Sequence, residues 1–255
     1  VEAALEADTV LVSLMHVNNE TGVVQDIAAI GAICRRREVL LHVDAAQSAG
    51  RETIDVRAQQ IDLLSLSAHK IYGPKGVGAL FIDQQHVRRV APLLFGGGQE
   101  RGLRPGTVAT HQVAGMGAAF RLAAQRLPDE ARHVAALRDR LWAGLQPLAG
   151  VLLNGPARQR SGHILNVSIT GVEGESLFYS LADLCVASGS ACTSLANEAS
   201  YVLRALGRPA ALAQSSIRFS LGRQSTAAEV DFAIECVLRA VRHLRSFSPI
   251  SVPGA

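Results

Sequence analysis

The chain has 255 residues, of which 48% are hydrophobic and 18% are charged, and its formal net charge is +3. This composition excludes an intrinsically disordered chain and a collagen-like or coiled-coil fibre, because apolar side chains are abundant enough to fill a core. The charge is too small and too dispersed to favour a nucleic-acid partner, and no apolar run reaches the roughly 18 residues of a membrane span.

The first half of the chain predicts an α/β layer with a mostly parallel sheet. Asp26 is expected to cap a helix that presents Ile27, Ile30 and Cys34 on one face and ends in arginines. Short, nearly continuous apolar runs around this helix indicate a sheet that is buried on both faces. The predicted strands cover residues 10–15, 39–44, 61–67 and 78–82.

The second half mixes helices and strands, and we predict a domain boundary near residue 126. Thr226 and Glu229 form a capping-box pattern that predicts the start of the last helix. The first residue is Val1, and the residues that follow it read as the end of a helix that leads directly into a strand. We therefore expect that an N-terminal portion is missing. Predicted helices cover 108–126, 129–145, 173–184, 197–206 and 227–245, and predicted strands lie in VLLNG (151–155), HILNVSI (163–169) and SSIRFSL (215–221).

The basic residues include only two lysines, Lys70 and Lys75, and both lie in the segment HKIYGPKG. An amine can lose its proton and attack a carbonyl, whereas arginine keeps its proton at neutral pH. A required amine is therefore one interpretation of this segment. The alternative is a coding bias that left two surface lysines.

Polar residues follow three of the predicted strands, at the place where open α/β sheets bind ligands. Asp44 ends one strand and Lys70 lies just past another. A pyridoxal phosphate site requires a lysine that forms a Schiff base and an acid that keeps the pyridine nitrogen protonated. Ser67 and His69 would add hydrogen bonds to the phosphate. Taken alone, Asp44 indicates a turn at the end of a strand, and His69 alone indicates a structural residue. Their combination with the lysine predicts this cofactor site. The other polar residues at the strand ends are Asn18, Asn19, Glu20 and Gln47.

Seven segments resemble a known family: HVNNETGVVQD, HVDAAQSAG, SLSAHKIYGPKGVGAL, GGGQERGLRPGT, SGSACTS, SYVLRALG and SSIRFSLGR. They are similar to the cysteine desulfurases of the NifS/IscS kind, which are class-V, fold-type I pyridoxal phosphate enzymes. The lysine segment together with the SGSACTS loop separates this branch from the aminotransferases. The resemblance implies an aspartate-aminotransferase-like α/β fold. Residues 1–126 would be the C-terminal part of a large, mostly parallel domain, and 127–255 a smaller α+β domain with the cysteine loop.

The resemblance implies a role around pyridoxal phosphate for each of five residues. Lys70 would form the Schiff base and carry the Cα proton of the substrate. Asp44 would pair with the pyridine nitrogen, and Gln47 would hydrogen-bond the ring hydroxyl. Ser67 and His69 would bind the phosphate.

Four further residues receive roles from the same resemblance. Thr107 would reach the phosphate of the cofactor in a neighbouring subunit, which implies a homodimer. Asn19 would contact the cofactor and, together with Arg218, hold the substrate carboxylate. Cys192 would be the nucleophile that takes the sulfur.

The surroundings of the four cysteines set Cys192 apart from the others. Small residues flank Cys192, which predicts an accessible thiol on a mobile loop. Cys34 and Cys236 lie in helical patterns and Cys185 at a helix–strand junction, so buried and inert thiols are predicted there. No second Cys or His stands beside Cys192 at ligand spacing, and we expect no metal site. The absence of a disulfide framework and of an export signal favours the cytoplasm.

The resulting hypothesis is a pyridoxal phosphate-dependent cysteine desulfurase, a sulfurtransferase that converts L-cysteine to L-alanine through a persulfide on Cys192. The sulfur would pass to an acceptor, such as an iron–sulfur scaffold protein, for iron–sulfur cluster assembly or tRNA thiolation. The alternatives are a selenocysteine lyase or another class-V enzyme, and an inactive truncated chain or non-catalytic subunit. The sequence departs from the family pattern in three ways. It lacks the N-terminal part that carries a phosphate-binding loop and a His that stacks on the pyridine ring, and it has Ala199 where Pro is usual. Its C-terminal tail is short, which argues against docking to a scaffold protein.

Overall fold

The computed structural model describes residues 1–188 and 199–247 of the chain. These residues form two compact units. The first comprises Val1–Val17 and Gln25–Leu127, and the second comprises Asn18–Val24 together with the described residues from Pro128 onward. Within the described ranges, no helix is both long and apolar enough to cross a lipid bilayer.

The first unit contains a four-stranded sheet with the strand order β1-β2-β3-β4. The first three strands run parallel, and β4 pairs antiparallel with β3. Parallel neighbours need a crossover connection, which α1 supplies between β1 and β2. The predicted strands are confirmed to within two residues at each end: β1 Leu11–Met15, β2 Leu40–Asp44, β3 Leu63–Ser67 and β4 Gly78–Ile82.

The helix predicted after Asp26 is confirmed as α1 (Ile27–Arg36), and the Asp26 carboxylate accepts a hydrogen bond from Ala29 N–H at 3.0 Å. Ile27 and Cys34 face the sheet and join its apolar core. The expectation of a sheet buried on both faces is wrong at the two edge strands, since the first three residues of β4 and Leu11 and Ser13 of β1 are exposed. The other buried core residues are Leu41, Val43, Ala45, Ala49, Ile61 and Leu64. Short 3-10 helices occupy Glu2–Ala4, Ala68–Ile71, Gln84–Arg89 and Gln99–Gly102.

One helix, α2 (Thr110–Leu145), replaces the two helices predicted at 108–126 and 129–145. Pro128 lies inside it, although a proline has no N–H for the helical ladder and its ring crowds the preceding turn. Apolar residues on both sides of Pro128 are buried, and this burial offsets the lost hydrogen bond. The division between the two compact units falls within this helix, between Leu127 and Pro128.

The second unit is built on an antiparallel sheet with the order β5-β6-β7. All six residues of the central strand β6 are buried, because strands flank it and residues of α2 and α6 cover its apolar side chains. The three predicted strands are confirmed as β5 Val151–Leu153, β6 Ile164–Ile169 and β7 Ser216–Ser220. The helices after α2 are α3 Gly174–Tyr179, α4 Tyr201–Ala205, α5 Ala210–Gln214 and α6 Ala227–Phe247.

The ends of these helices follow local side-chain chemistry. The capping box before α6 is confirmed, because Thr226 N–H donates to Glu229 Oε2 at 2.8 Å and Glu229 N–H donates to Thr226 Oγ1 at 3.3 Å. The helix predicted at 173–184 is wrong beyond Tyr179. The Ser180 N–H still donates to the Ser176 carbonyl at 3.0 Å, but the Leu181 N–H donates to the Phe178 carbonyl at 3.1 Å, an i→i−3 bond that ends the α-helical ladder. The predicted helix 197–206 begins at Tyr201, and its first two residues lie outside the described ranges.

The buried end of α2 should contribute far more to stability than its exposed part. Leu141 is 1% exposed in the core of the second unit, whereas Leu122 on the same helix is 40% exposed. We expect Leu141→Ala to lower the free energy of unfolding by about 2–5 kcal/mol and Leu122→Ala by about 1 kcal/mol or less. Urea denaturation of the two variants measures the difference, and equal losses would contradict this assignment of the core.

Candidate active site

Parallel strands bring five of the predicted residues to one edge of the first unit's sheet. Asp44 ends β2 and Ser67 ends β3, and these strands are hydrogen-bonded neighbours with Asp44 opposite Ser65. The chain continues from Ser67 into the 3-10 turn that carries His69 and Lys70. We call Asp44, Gln47, Ser67, His69 and Lys70 the lysine cluster.

Hydrogen bonds hold the backbone carbonyl of Lys70 and the side chains of the other four members of the lysine cluster. The Asp44 carboxylate accepts the N–H of Ala46 at 2.8 Å, and the Ser67 hydroxyl lies 2.9 Å from Nδ1 of His69. Arg51, which the sequence analysis missed, contacts two members at once. Its guanidinium donates to the Lys70 carbonyl at 2.8 Å and to Oε1 of Gln47 at 3.3 Å. Arg51 thereby ties the turn that carries the lysine to the turn after β2.

A second group of predicted residues lies in the second unit. Arg218 projects from β7, opposite Asn166 of β6, and its Nη1 donates to the Asn19 carbonyl at 3.0 Å. Asn19 is exposed and Arg218 is half-buried. The loop 18–24 that carries Asn19 turns back on itself through Asn18, whose Oδ1 accepts from the N–H groups of Glu20 and Thr21.

Glu20 and Ser200 join this second group through a buried contact. The Ser200 hydroxyl donates to Oε2 of Glu20 at 2.6 Å, and both residues are buried. Burial raises the pKa of the Glu20 carboxyl, while the hydrogen bond from Ser200 and the positive charge of Arg218 oppose that rise. We call Asn19, Glu20, Ser200 and Arg218 the arginine cluster.

A network of buried amide side chains contacts the backbone of the arginine cluster. Asn154 Nδ2 donates to Asn166 Oδ1 at 2.6 Å and to the Ser168 hydroxyl at 2.8 Å, and Arg208 Nε donates to Asn154 Oδ1 at 2.9 Å. Asn166 Nδ2 in turn donates to the backbone carbonyl of Glu20 at 3.0 Å. No motif of the sequence marks these residues, since their partners lie far apart in the chain.

The described cysteines divide into two buried thiols and one exposed thiol. Cys34 and Cys236 are buried, as predicted. The prediction that Cys185 is buried is wrong, because α3 ends at Tyr179 and Cys185 follows in irregular backbone, exposed on the wall of a cavity of about 380 Å³. Cys192 lies outside the described residues.

Two further expectations concern Thr107 and metal ions. Thr107 is exposed in the loop before α2. Among residues 1–188 and 199–247, no group of three or more His, Cys, Asp and Glu side chains could hold a metal ion.

The sequence model of the aminotransferase class-V family matches residues 1–232. The chain belongs to this family. Cysteine desulfurase IscS of Aeromonas salmonicida is 56% identical over 250 residues, which cover 98% of this chain and 62% of that protein. Cysteine desulfurase IscS of Vibrio cholerae is 57% identical over 249 residues, with the same two shares. The chain thus spans 62% of the length of these two family members.

Solved structures of family relatives share the fold. A NifS-like protein from Rickettsia africae gives a TM-score of 0.85 at 30% identity, over 94% of this chain and 64% of that one. The structure of SspA in complex with cysteine gives a TM-score of 0.73 at 35% identity, over 88% of this chain and 62% of that one. The predicted family and the predicted fold-type I class are confirmed.

Class-V aminotransferases and cysteine desulfurases depend on pyridoxal phosphate, and the lysine cluster fits this group. The cluster offers one amine for the aldehyde, one carboxylate for the pyridinium nitrogen, and a hydroxyl and an imidazole for the phosphate. Asp44 and His69 are exposed, so their polar atoms are accessible to a ligand.

The raised pKa of Glu20 predicts a pH dependence of stability. The folded chain holds the Glu20 proton more tightly than the unfolded chain does, so the contribution of Glu20 to stability falls as pH rises from the ordinary carboxyl range through the raised pKa. Glu20→Gln removes the ionisable group, so the stability of the variant relative to the parent should increase as the pH rises above the ordinary carboxyl range.

Asp231→Asn is a control for which we expect the opposite change of stability with pH, because the hydrogen bond from Arg140 lowers the pKa of Asp231. Relative to the parent, this variant should lose stability over the acidic range in which Asp231 ionises. Urea midpoints at several pH values measure both trends, and parallel pH curves for the parent and Glu20→Gln would contradict the assignment.

Proposed function

We propose that this chain carries catalytic residues of a pyridoxal phosphate-dependent cysteine desulfurase, which takes sulfur from L-cysteine and releases L-alanine. The lysine cluster is the observation that supports this most, because adjacent parallel strand ends join an amine, a carboxylate and a hydroxyl–imidazole pair. The 56% identity with a cysteine desulfurase supports the same reaction.

The lysine cluster would bind the cofactor and move one proton. Lys70 Nζ would hold the aldehyde carbon covalently and afterwards take the proton from the substrate Cα. Asp44 would accept a hydrogen bond from the pyridine nitrogen, Gln47 would bind the ring hydroxyl, and Ser67 and His69 would donate to the phosphate. When bound, pyridoxal phosphate supplies an electron sink for the bonds broken at Cα and Cβ.

The arginine cluster would bind the amino acid by its carboxylate. The Arg218 guanidinium is a planar two-pronged donor, which matches the geometry of a carboxylate. The Asn19 carbonyl already orients one of its terminal nitrogens. Asn19 would add a side-chain contact to the carboxylate and to the cofactor, since its side chain is exposed.

Cys192 would receive the sulfur in a balanced transfer. Its thiolate attacks the sulfur of L-cysteine, the Cβ–S bond breaks, and the carbon accepts a proton to give L-alanine. The Cys192 sulfur becomes a persulfide, so the substrate sulfur is oxidised while Cβ is reduced, and no external oxidant is needed. The persulfide sulfur would pass to an acceptor protein for iron–sulfur cluster assembly or tRNA thiolation.

The assembly around this reaction is part of the same proposal. Residues 1–126 would complete a large cofactor-binding domain, and 127–255 would form the small domain with the cysteine loop. Two copies would pair, so that the exposed Thr107 reaches the phosphate site of the neighbouring copy. The described cysteines are free thiols, which favours a reducing cytoplasm.

The two lysines provide a direct test of cofactor attachment. Borohydride reduction of the chain after incubation with pyridoxal phosphate should fix a pyridoxyl group on Lys70, and peptide mass spectrometry locates it. Lys70→Ala should lose the label and the visible absorption band, because Lys70 lies in the turn that directly follows β3, whereas Lys75 lies further along the connection to β4. Lys75→Ala is the matched control and should keep both; labelling of Lys75 in the parent would refute the assignment.

The exposed Cys185 provides a matched control for sulfur transfer. With L-cysteine as substrate, Cys192→Ser should abolish the protein-bound persulfide and lower alanine formation by about a hundredfold or more. Cys185→Ser should behave like the parent. Persulfide detection by mass spectrometry and alanine assays distinguish the two, and retained sulfur transfer in Cys192→Ser would rule out its role. Faster turnover of selenocysteine would favour a selenocysteine lyase instead.

A further inference from the structure

Glu20 is held through its backbone N–H, its backbone carbonyl and its carboxylate. The N–H donates to Asn18 Oδ1 at 3.0 Å, the carbonyl accepts from Asn166 Nδ2 at 3.0 Å, and Oε2 accepts from Ser200 at 2.6 Å. Only 4% of the residue is exposed. These three bonds come from different parts of the second unit, so the carboxylate has a defined position.

Arg218 is attached to the peptide group that precedes Glu20. Its Nη1 donates to the Asn19 carbonyl, which belongs to the same peptide as the Glu20 N–H. Nε of Arg218 is buried and has no hydrogen-bond partner among the described residues. Burial of a charged group is costly unless an opposite charge is near. The Glu20 carboxylate forms no direct ion pair with Arg218, but the two charges are close enough to attract each other electrostatically.

The described residues on either side of 189–198 are tied to Arg218 and Glu20. Ala187, on the N-terminal side, forms a two-way backbone bridge with Arg218. Ser200, on the C-terminal side, donates its hydroxyl to Glu20 and accepts the Leu203 N–H at the start of α4. The described residues that flank positions 189–198 are thus held by Arg218 on one side and by Glu20 on the other.

We propose that Glu20 is a positioning residue of this site: its carboxylate orients the Arg218 guanidinium, and its bond with Ser200 fixes the chain that leads out of the Cys192 segment. This inference rests on the proposed desulfurase function. Glu20 itself touches neither the substrate nor the cofactor in this scheme. It acts through Arg218 on substrate binding and through Ser200 on sulfur transfer.

The presence of a buried carboxylate at this position, where an amide would cost less to bury, supports the proposal. A neutral amide could also accept the Ser200 hydrogen bond, and it would avoid the cost of burying a carboxylate. What the amide cannot supply is the negative charge beside Arg218. The two actions of Glu20 are therefore separable by substitution, since Glu20→Gln removes the charge and Ser200→Ala removes the hydrogen bond.

Steady-state alanine formation by the cofactor-loaded chain, normalised to bound cofactor, tests both actions. Glu20→Gln should raise the KM for L-cysteine about tenfold and leave kcat within about twofold, because a misoriented guanidinium weakens carboxylate binding. Ser200→Ala should lower kcat about tenfold with KM within about twofold, and Ser200→Thr should restore kcat because it keeps the hydroxyl.

Asp62→Asn is the matched control for loss of a buried carboxylate. Asp62 is 5% exposed and accepts the Leu41 N–H in the first unit, whereas the arginine cluster belongs to the second unit. Its variant should lower stability while leaving KM and kcat near parental values. Equal changes of KM and kcat in Glu20→Gln, Ser200→Ala and Asp62→Asn would overturn the proposal, because they would indicate a purely structural role.

Hydrogen exchange of the chain without cofactor separates this inference from the proposed function. Ser200→Ala should accelerate amide exchange in residues 200–206, and Glu20→Gln should do so in residues 216–220, relative to the parent and to Asp62→Asn. Unchanged exchange at both places would refute the positioning role. If exchange changes as expected but the parent forms no alanine from cysteine, the positioning contacts stand and the desulfurase function fails.

Discussion

Parallel pairing of β2 with β3 is the constraint on which the lysine cluster depends. It places Asp44 and Ser67 at one edge, and the antiparallel strand β4 begins at that same edge because Gly78 pairs with Ser67. Residues 68–77 therefore form a short return connection, closed by the Ala68 N–H bond to the Val77 carbonyl at 3.2 Å. A lysine in such a connection stays beside the strand ends, where the polar atoms of the cluster are accessible to a ligand.

In the second unit, buried polar side chains rather than strand pairing fix the position of the candidate site residues. Its core contains amides and hydroxyls that are fully buried, and Asn154, Asn166 and Ser168 satisfy one another and the backbone of Glu20. A buried polar network of this kind specifies one arrangement of its members, because any shift leaves a polar group without a partner. The loop 18–24 consequently lies at a defined place beside β7, although it has no regular secondary structure.

Local patterns predicted the parts of the molecule that local chemistry decides. The Asp26 cap, the Thr226–Glu229 box, the seven strands and the strand-end lysine cluster all follow from nearby residues. The continuous helix through Pro128 and the exposed Cys185 depend on burial elsewhere in the fold. The bond between Glu20 and Ser200 joins residues 180 positions apart, and no periodicity or spacing could indicate it.

The division of the chain has a consequence for dissecting it. The backbone leaves the first unit after Val17 and re-enters it at Gln25, so a seven-residue strap of early sequence completes the second unit. A fragment cut at Pro128 would lack that strap. The Asn166 amide would then lose its acceptor, the Glu20 carbonyl, and Ser200 would lose its carboxylate. Exchange of the chain after Pro128 between relatives would thus separate the second unit from the seven residues that complete it.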